Sequence, residues 1–174
     1  MIRRDLLIVF LCACLAGCGF SLRGSQQFGS ELVGQLFLEE RSAISVLQPL
    51  RNALTAQQVR FAAVREDADT IVVLSDEVIS RRVASVSSSG KVSEYELLHK
   101  VDLQTIRSVD GVRAGQLEIT SENQPKRQSV SVARDYTYDE TDVLAKDDEE
   151  RILRDEMADE LVRHLVLVIF SGLR

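Results

Sequence analysis

The sequence predicts an α+β fold: a two-layer sandwich in which a mostly antiparallel four-stranded sheet carries two helices packed on one face. Three observations predict it. Beyond a β-rich stretch that Thr70 to Leu74 open, apolar and polar residues alternate in twos around Tyr95 to Leu103, at Leu117-Glu118-Ile119 and at Val130-Ser131-Val132. A short segment after Pro49 and a long one after Asp147 repeat instead in threes and fours. The order is strand, helix, strands, helix, which lets both helices lie against the same side of one sheet. A chain of 174 residues that is 45% hydrophobic and shows no internal repeat suits one domain, and it is too apolar for a disordered tail.

In chain order, Arg3 and Arg4 come first and lead into the apolar run Leu6 to Leu15, which is too short to span a bilayer comfortably. That is the pattern of a signal peptide, assigned to residues 1–17. The run closes on Leu15-Ala16-Gly17-Cys18, which resembles the bacterial lipobox, where small residues let a peptidase cut just before a cysteine carrying diacylglycerol. Cys18 is therefore the expected lipidation site. An uncleaved anchor is the alternative, and it leaves Cys18 without a role. Cys12 and Cys14 leave with the signal and Cys18 is consumed by acylation, so the body keeps no thiol for a disulfide or a cysteine metal site. At about 0.8 kcal/mol per buried methylene, a multiply acylated Cys18 holds the protein on a membrane. Gly19, where an Asp would signal retention in the inner membrane, directs it by the same resemblance to the outer membrane.

Residues 18–30 are rich in Gly, Ser and Gln without a sustained period and read as a tether, leaving 31–174 as the domain. Leu36-Phe37-Leu38 suits a first strand. Pro49 can open a helix over 49–58, because its missing N–H is unused in a first turn and Leu50, Ala53, Leu54 and Gln57 follow at helical spacing. Thr70 to Leu74 opens a β-rich stretch through Val86, with Arg81 and Arg82 at a solvated or bulged point. Ser87-Ser88-Ser89-Gly90 is a turn. Beyond it Tyr95, Leu97, Val101 and Leu103 alternate with Glu94, Glu96, Lys100 and Asp102, giving a strand with one dry and one wet face. Asp110-Gly111 marks another turn, and Leu117-Glu118-Ile119 and Val130-Ser131-Val132 read as strands on either side of Asn123-Gln124-Pro125. The last helix is expected from Asp147 to about Phe170. Asp147, Asp148, Glu149 and Glu150 oppose the positive end of its dipole, and Ile152, Leu153, Met157, Leu161, His164, Leu165 and Val168 fall mostly on one face.

The formal charge is −6, and without residues 1–17 it becomes −7, from 19 basic and 26 acidic residues. Neutralising nucleic-acid phosphates needs a cationic face, so no nucleic-acid partner is expected. With 5% aromatics and no Trp, stacking shelves for bases or sugars are poorly supplied. Catalysis would have to be built from His99 and His164, and both read better as satisfied core histidines than as bases or ligands. The sequence contains no His-Glu-x-x-His, no P-loop and no EF-hand pattern, so the expectation is neither an enzyme nor a metal protein, with no cofactor beyond the lipid on Cys18. An anionic ligand would have to be met by a local cationic cluster. Lys91, Lys146 and the Lys126-Arg127 pair are the candidates. Lys146 stands at the helix end where its charge opposes the dipole, which argues against a helix-stabilising role.

Several features now fall in a particular order. They are the opening Cys18-Gly19-Phe20-Ser21-Leu22-Arg23, the helix near Leu50-Arg51-Asn52-Ala53-Leu54, and the hairpin Ala84-Ser85-Val86 to Gly90-Lys91-Val92-Ser93-Glu94-Tyr95-Glu96. Arg134-Asp135-Tyr136 and Leu144-Ala145-Lys146-Asp147-Asp148-Glu149-Glu150 follow. Together, over nearly the whole chain after residue 17, they resemble the LPS-assembly lipoprotein family LptE, earlier described as rare lipoprotein B. The resemblance implies a non-enzymatic outer-membrane lipoprotein, held on the periplasmic side by its Cys18 lipid, palmitate included. Such a protein plugs and helps assemble the β-barrel translocon LptD and assists delivery of lipopolysaccharide to the cell surface by binding it. It further implies lipopolysaccharide contact through Lys146, by its Leu-Ala-Lys-Asp context. At the hairpin turn Ser87-Ser88-Ser89 stands where the family has a basic residue, leaving Lys91 as the substitute candidate. Two other readings stay open: an envelope lipoprotein that binds peptidoglycan or another periplasmic protein, and a periplasmic hydrolase built on His99 and His164.

Overall fold

The computed structural model describes residues 34–119, 125–139, 141 and 143–173. The signal peptide, the tether with Cys18, residues 31–33 and the Asn123-Gln124 turn lie outside the described residues. Five strands form one sheet in the order β2-β1-β3-β4-β5. They are β1 (Gln35–Glu40), β2 (Arg60–Phe61), β3 (Thr70–Val86), β4 (Val92–Arg107) and β5 (Gln128–Thr137). Two helices accompany them, α1 (Leu47–Ala56) and α2 (Val143–Ser171). The α+β class and the placement of both helices on one face are as the sequence predicts. The fifth strand is the two-residue β2, too short to leave a period in the sequence.

β1 runs parallel to both β2 and β3, while β3, β4 and β5 form an antiparallel meander. Parallel neighbours need a crossover, and α1 supplies the one between β1 and β2. The helix starts at Leu47, so Pro49 occupies its third position rather than its first, still within the turn whose N–H groups have no helical partner. Gln58, at φ +62°, turns the chain out of the helix.

Strand alternation sorts the sheet into two faces. Leu36, Leu38, Val72, Leu74, Leu97, Val101, Leu103, Val130, Val132 and Tyr136 point to the helix side. They pack there with Leu50 and Leu54 of α1 and with Met157, Leu161, Leu165, Ile169 and Phe170 of α2. Each fully buried aliphatic side chain contributes about 1.5–3 kcal/mol, so this layer is the main source of stability. The i, i+4 row Leu153, Met157, Leu161, Leu165 fixes which side of α2 faces inward. That rotation leaves Ile152 exposed and His164 with a 44% exposed side chain, so neither belongs to the core face that the sequence pattern suggested.

A second, smaller core covers the other face at one end only. Ile71, Val73 and Ile106 pack there with Ala62, Ala68 and Ala114, and with Phe37 and Leu117 beside them. Two 3-10 turns, Arg65–Asp67 and Ala114–Gln116, meet over it. This corrects the expectation of a strand at Leu117-Glu118-Ile119. The Asp110-Gly111 turn forms, but it closes only a single bridge between Val109 and Val112. The chain then crosses the sheet face to bury Leu117, and the neighbour of β4 is β5, in register from Leu103↔Gln128 to Glu94↔Thr137.

Beyond Leu74 nothing among the described residues pairs with the outer edge of β3. A bulge between Ser75 and Val78, with Asp76 at φ +54°, carries β3 into a long hairpin arm with β4. Arg81 and Arg82 lie exposed on that arm, between this bulge and the irregularity at Val83 to Ser85.

Candidate functional site

The arm ends at a turn built by backbone bonds. Ser87 N donates to Lys91 O at 2.7 Å, and Gly90 N donates to Ser87 O at 2.9 Å. Gly90 sits at φ +81°, a conformation that glycine adopts without steric cost. The end of β5 reaches the same place, because Tyr138 N donates to Ser93 O at 2.9 Å. Asp139 then accepts Thr141 N at 2.9 Å and Thr141 Oγ1 at 2.8 Å, a turn that hands the chain to α2.

α2 begins at Val143, four residues before the position expected from the acidic run. Lys146 is thus inside the helix rather than ahead of it. Its Nζ donates to Glu149 Oε2 at 2.7 Å and makes a longer contact of 3.5 Å to Thr137 Oγ1. Asp139 feels the charge of both lysines. Its carboxyl is held below the usual range first by Thr141 N–H and Thr141 hydroxyl, then, against some desolvation, by the charges of Lys146 and Lys91. Two cations distant in the chain therefore share the field of one carboxylate at the hairpin tip. The third basic candidate is elsewhere: Lys126 is exposed just before β5, and Arg127 bonds Asp76 at 2.9 Å. The ten residues of β5 at about 3.3 Å each separate this pair from the Lys146 end.

Beside the lysines lies a group that the sequence reading missed. Tyr95 and Tyr136 are register partners with ring centroids 5.8 Å apart, and Tyr138 meets Tyr95 edge-on at 5.1 Å. The Arg81 guanidinium sits 4.5 Å above the Tyr95 ring. Glu150 gathers the rest: Oε2 accepts Tyr136 OH at 2.6 Å and Arg81 Nη1 at 2.7 Å, and Oε1 accepts Arg154 Nη2 at 2.6 Å. Burial alone would raise the Glu150 carboxyl, but bonds from Tyr136, Arg154 and Arg81 bring it down to about 2. Burial, with the Glu150 carboxylate as acceptor, pushes Tyr136 up to about 12. The period-two pair Tyr136 and Tyr138, matched to Tyr95 across the strand, was the available signal. The cluster pins the start of α2, and with it Lys146, to the hairpin arm.

The two histidines do not meet. His99 is buried on the helix side of β4, its Nε2 2.8 Å from Glu77 Oε1, which also accepts Ser45 Oγ at 2.6 Å. Glu77 Oε2 accepts Ser45 N at 2.7 Å. A cavity of about 170 Å³ opens beside them, bounded by Ile79, Met157 and Ala158. Ser45 bonds the carboxylate rather than the imidazole, so the three do not form a serine–histidine–acid relay; the trio ties the loop before α1 to the β3 bulge. His164 lies half-exposed, 3.9 Å from Glu160. Among the described residues no cluster of His, Cys, Asp and Glu is arranged to hold a metal ion, and no helix is long and apolar enough to cross a membrane.

Residues 41–169 match the family model described as LptE, lipopolysaccharide-assembly. A Pectobacterium atrosepticum protein named LPS-assembly lipoprotein LptE is 29% identical over 154 residues, covering 87% of this chain and 76% of its own. A Yersinia pestis protein of the same name is 30% identical over 160 residues, covering 88% of this chain and 70% of its own. Among solved structures, rare lipoprotein B from Shewanella oneidensis superposes with a TM-score of 0.63 at 22% identity, over 79% of this chain and 95% of that one. Lipoprotein B from Nitrosomonas europaea does so with a TM-score of 0.63 at 21% identity, over 84% and 87%. These two structures share the fold.

Proposed function

The chain belongs to the LptE family of lipopolysaccharide-assembly lipoproteins, and from that premise we propose that it plugs the lumen of the β-barrel translocon LptD, helps that barrel assemble, and offers its hairpin tip to lipopolysaccharide. The family's work is assembly rather than catalysis. In this reading Cys18 carries the lipid after removal of residues 1–17, residues 18–30 form the tether, and the protein is held on the periplasmic side of the outer membrane.

The observation that carries the reading is that the charges of Lys91 and Lys146 both act on Asp139, at the end of the hairpin arm far from Gly34. The chain enters at Gly34, next to β1, whose Leu36 pairs with Thr70 at the very start of β3. The 17 residues of β3 then carry the hairpin tip about 50 Å along the sheet at about 3.3 Å per residue. A lipid joined to the domain through Gly34 and an anion-attracting pair at the far end of the arm suit a protein that reaches along a barrel's depth. The uncovered face of the arm is polar, with Arg82 bonded to Glu96 and Lys100 3.4 Å from Asp102, and it suits the polar interior of a barrel.

Photo-crosslinking from residues 87–91 in intact cells tests the proposal. The expected product joins the turn to a β-barrel protein. Adducts to periplasmic proteins alone, or retention on peptidoglycan sacculi without a barrel, would overturn it in favour of a wall-binding lipoprotein. A Cys18→Ala variant should leave the membrane unless the barrel retains it.

A further inference from the structure

Lys146 is already occupied. Its Nζ lies 2.7 Å from Glu149 Oε2, one helical turn further on, and the side chain is only 19% exposed, whereas that of Glu149 is 44% exposed. Thr137 Oγ1 stands 3.5 Å away on β5. Asp139, across the same corner, is engaged by Thr141 N and Oγ1. The lysine is set against the helix and strand, and its partner carboxylate is the more exposed member of the pair.

Any anion that reaches Lys146 therefore competes with Glu149 for the ammonium's charge. A ligand carboxylate exchanges one single negative charge for another and gains little. A phosphate monoester carries about −1.5 to −2 at neutral pH and three acceptor oxygens, enough to hold the ammonium and the Thr137 hydroxyl together. Glu149 can yield at small cost, since an i, i+3 pair on a helix is weak and the Glu149 side chain has solvent to swing into. Displacement thus favours the more highly charged group, and the internal carboxylate sets the threshold.

We propose that Glu149 is a built-in competitor for Lys146 that makes this corner select phosphate-bearing over carboxylate-bearing headgroups. This rests on the reading of the hairpin tip as a lipopolysaccharide contact and names the chemistry it takes.

The test uses the full lipidated chain in detergent, with two probes: intact lipopolysaccharide and the same material after enzymatic dephosphorylation, which keeps its sugar carboxylates. The wild type should bind the intact probe at least tenfold more tightly. Glu149→Gln should improve binding of the dephosphorylated probe about tenfold and of the intact probe about threefold, narrowing the ratio. Lys146→Gln combined with Glu149→Gln should erase both gains, and unchanged melting curves separate this from a folding defect. Equal gains on both probes, no gain, or gains that persist without Lys146 overturn the selector role. Lys146→Gln alone binding both probes like the wild type is a different failure, because it removes the underlying contact itself.

Discussion

The Tyr136 hydroxyl donates to Glu150 Oε2 at 2.6 Å, and the same oxygen accepts Arg81 Nη1 at 2.7 Å. One carboxylate oxygen thus joins the end of β5, the hairpin arm and the second turn of α2. The corner that holds Lys146 depends on that junction, because Glu150 is one helical turn beyond it.

Tyr136→Phe should therefore destabilise the protein by about 2 kcal/mol, the cost of a lost bond to a charged acceptor. Glu150→Ala should cost more, about 3–4 kcal/mol, since it strands Arg81 and Arg154 together in a half-buried site. Urea unfolding of both single variants and the double checks this. The two costs should fall short of additive by more than about 0.5 kcal/mol, because both remove the same contact.

Stability should fall on acidification between about pH 5 and pH 2. The Glu150 carboxyl lies at about 2 in the folded chain against an ordinary 4.5, so its contribution is complete above the ordinary value and vanishes as pH drops through the folded one. Glu77 and Asp102 are lowered too and act in the same direction. At the alkaline end Tyr136, raised from 10.0 to about 12, stabilises below the first value and loses that effect as pH rises through the second. Thermal melts across pH should show both slopes, and Glu150→Gln should flatten the acidic one.

Gly115→Ala should be among the most damaging small substitutions, costing more than about 3 kcal/mol. A methyl group there would sit 1.9 Å from Arg65 O, where the two 3-10 turns meet over the minor core, and backbone cannot step aside cheaply. Gly90→Ala at the hairpin tip meets no atom within 4 Å and bears only its positive φ, worth about 1 kcal/mol. Comparing the two melting temperatures checks this, and equal losses would contradict the packing argument.

Lys146→Glu should weaken lipopolysaccharide binding about tenfold or more, and Lys126→Glu less than about twofold. The first places a third acid beside Glu149 and Asp139. The second changes an exposed charge at the opposite end of β5. Binding at two salt concentrations measures both, and equal losses would mean that a general field rather than a local site attracts the ligand.

The β4 strand was legible from its alternation because one face is buried and the other only partly covered over its first half, as Leu97 and Val101 against Glu96 and Lys100 show, whereas Asp102 and Gln104 beyond them are buried too. The turn at Ser87 to Gly90 was legible because its residues state their own geometry. The 117–119 segment misled because Leu117 and Ile119 alternate as a strand would, yet Leu117 finds its burial against a sheet face rather than beside a strand. The start of α2 misled in another way. The acids at 147–150 look like a helix beginning, but Thr141 bonding to Asp139 starts the turn earlier and places Lys146 within the helix.

By itself the sequence determined the class of fold, the long antiparallel hairpin, the amphipathic final helix and the expectation of a lipidated start, since each rests on neighbours in the chain. Only the tertiary structure decided that β1 lies parallel to β3, that Tyr95, Tyr136 and Glu150 form one cluster, and that Lys91 and Lys146 share Asp139 while Lys126 stands apart. The physical reason is that strand register and helix rotation are set by which apolar faces bury one another across the chain, and a charge meets its partners only after that packing is complete.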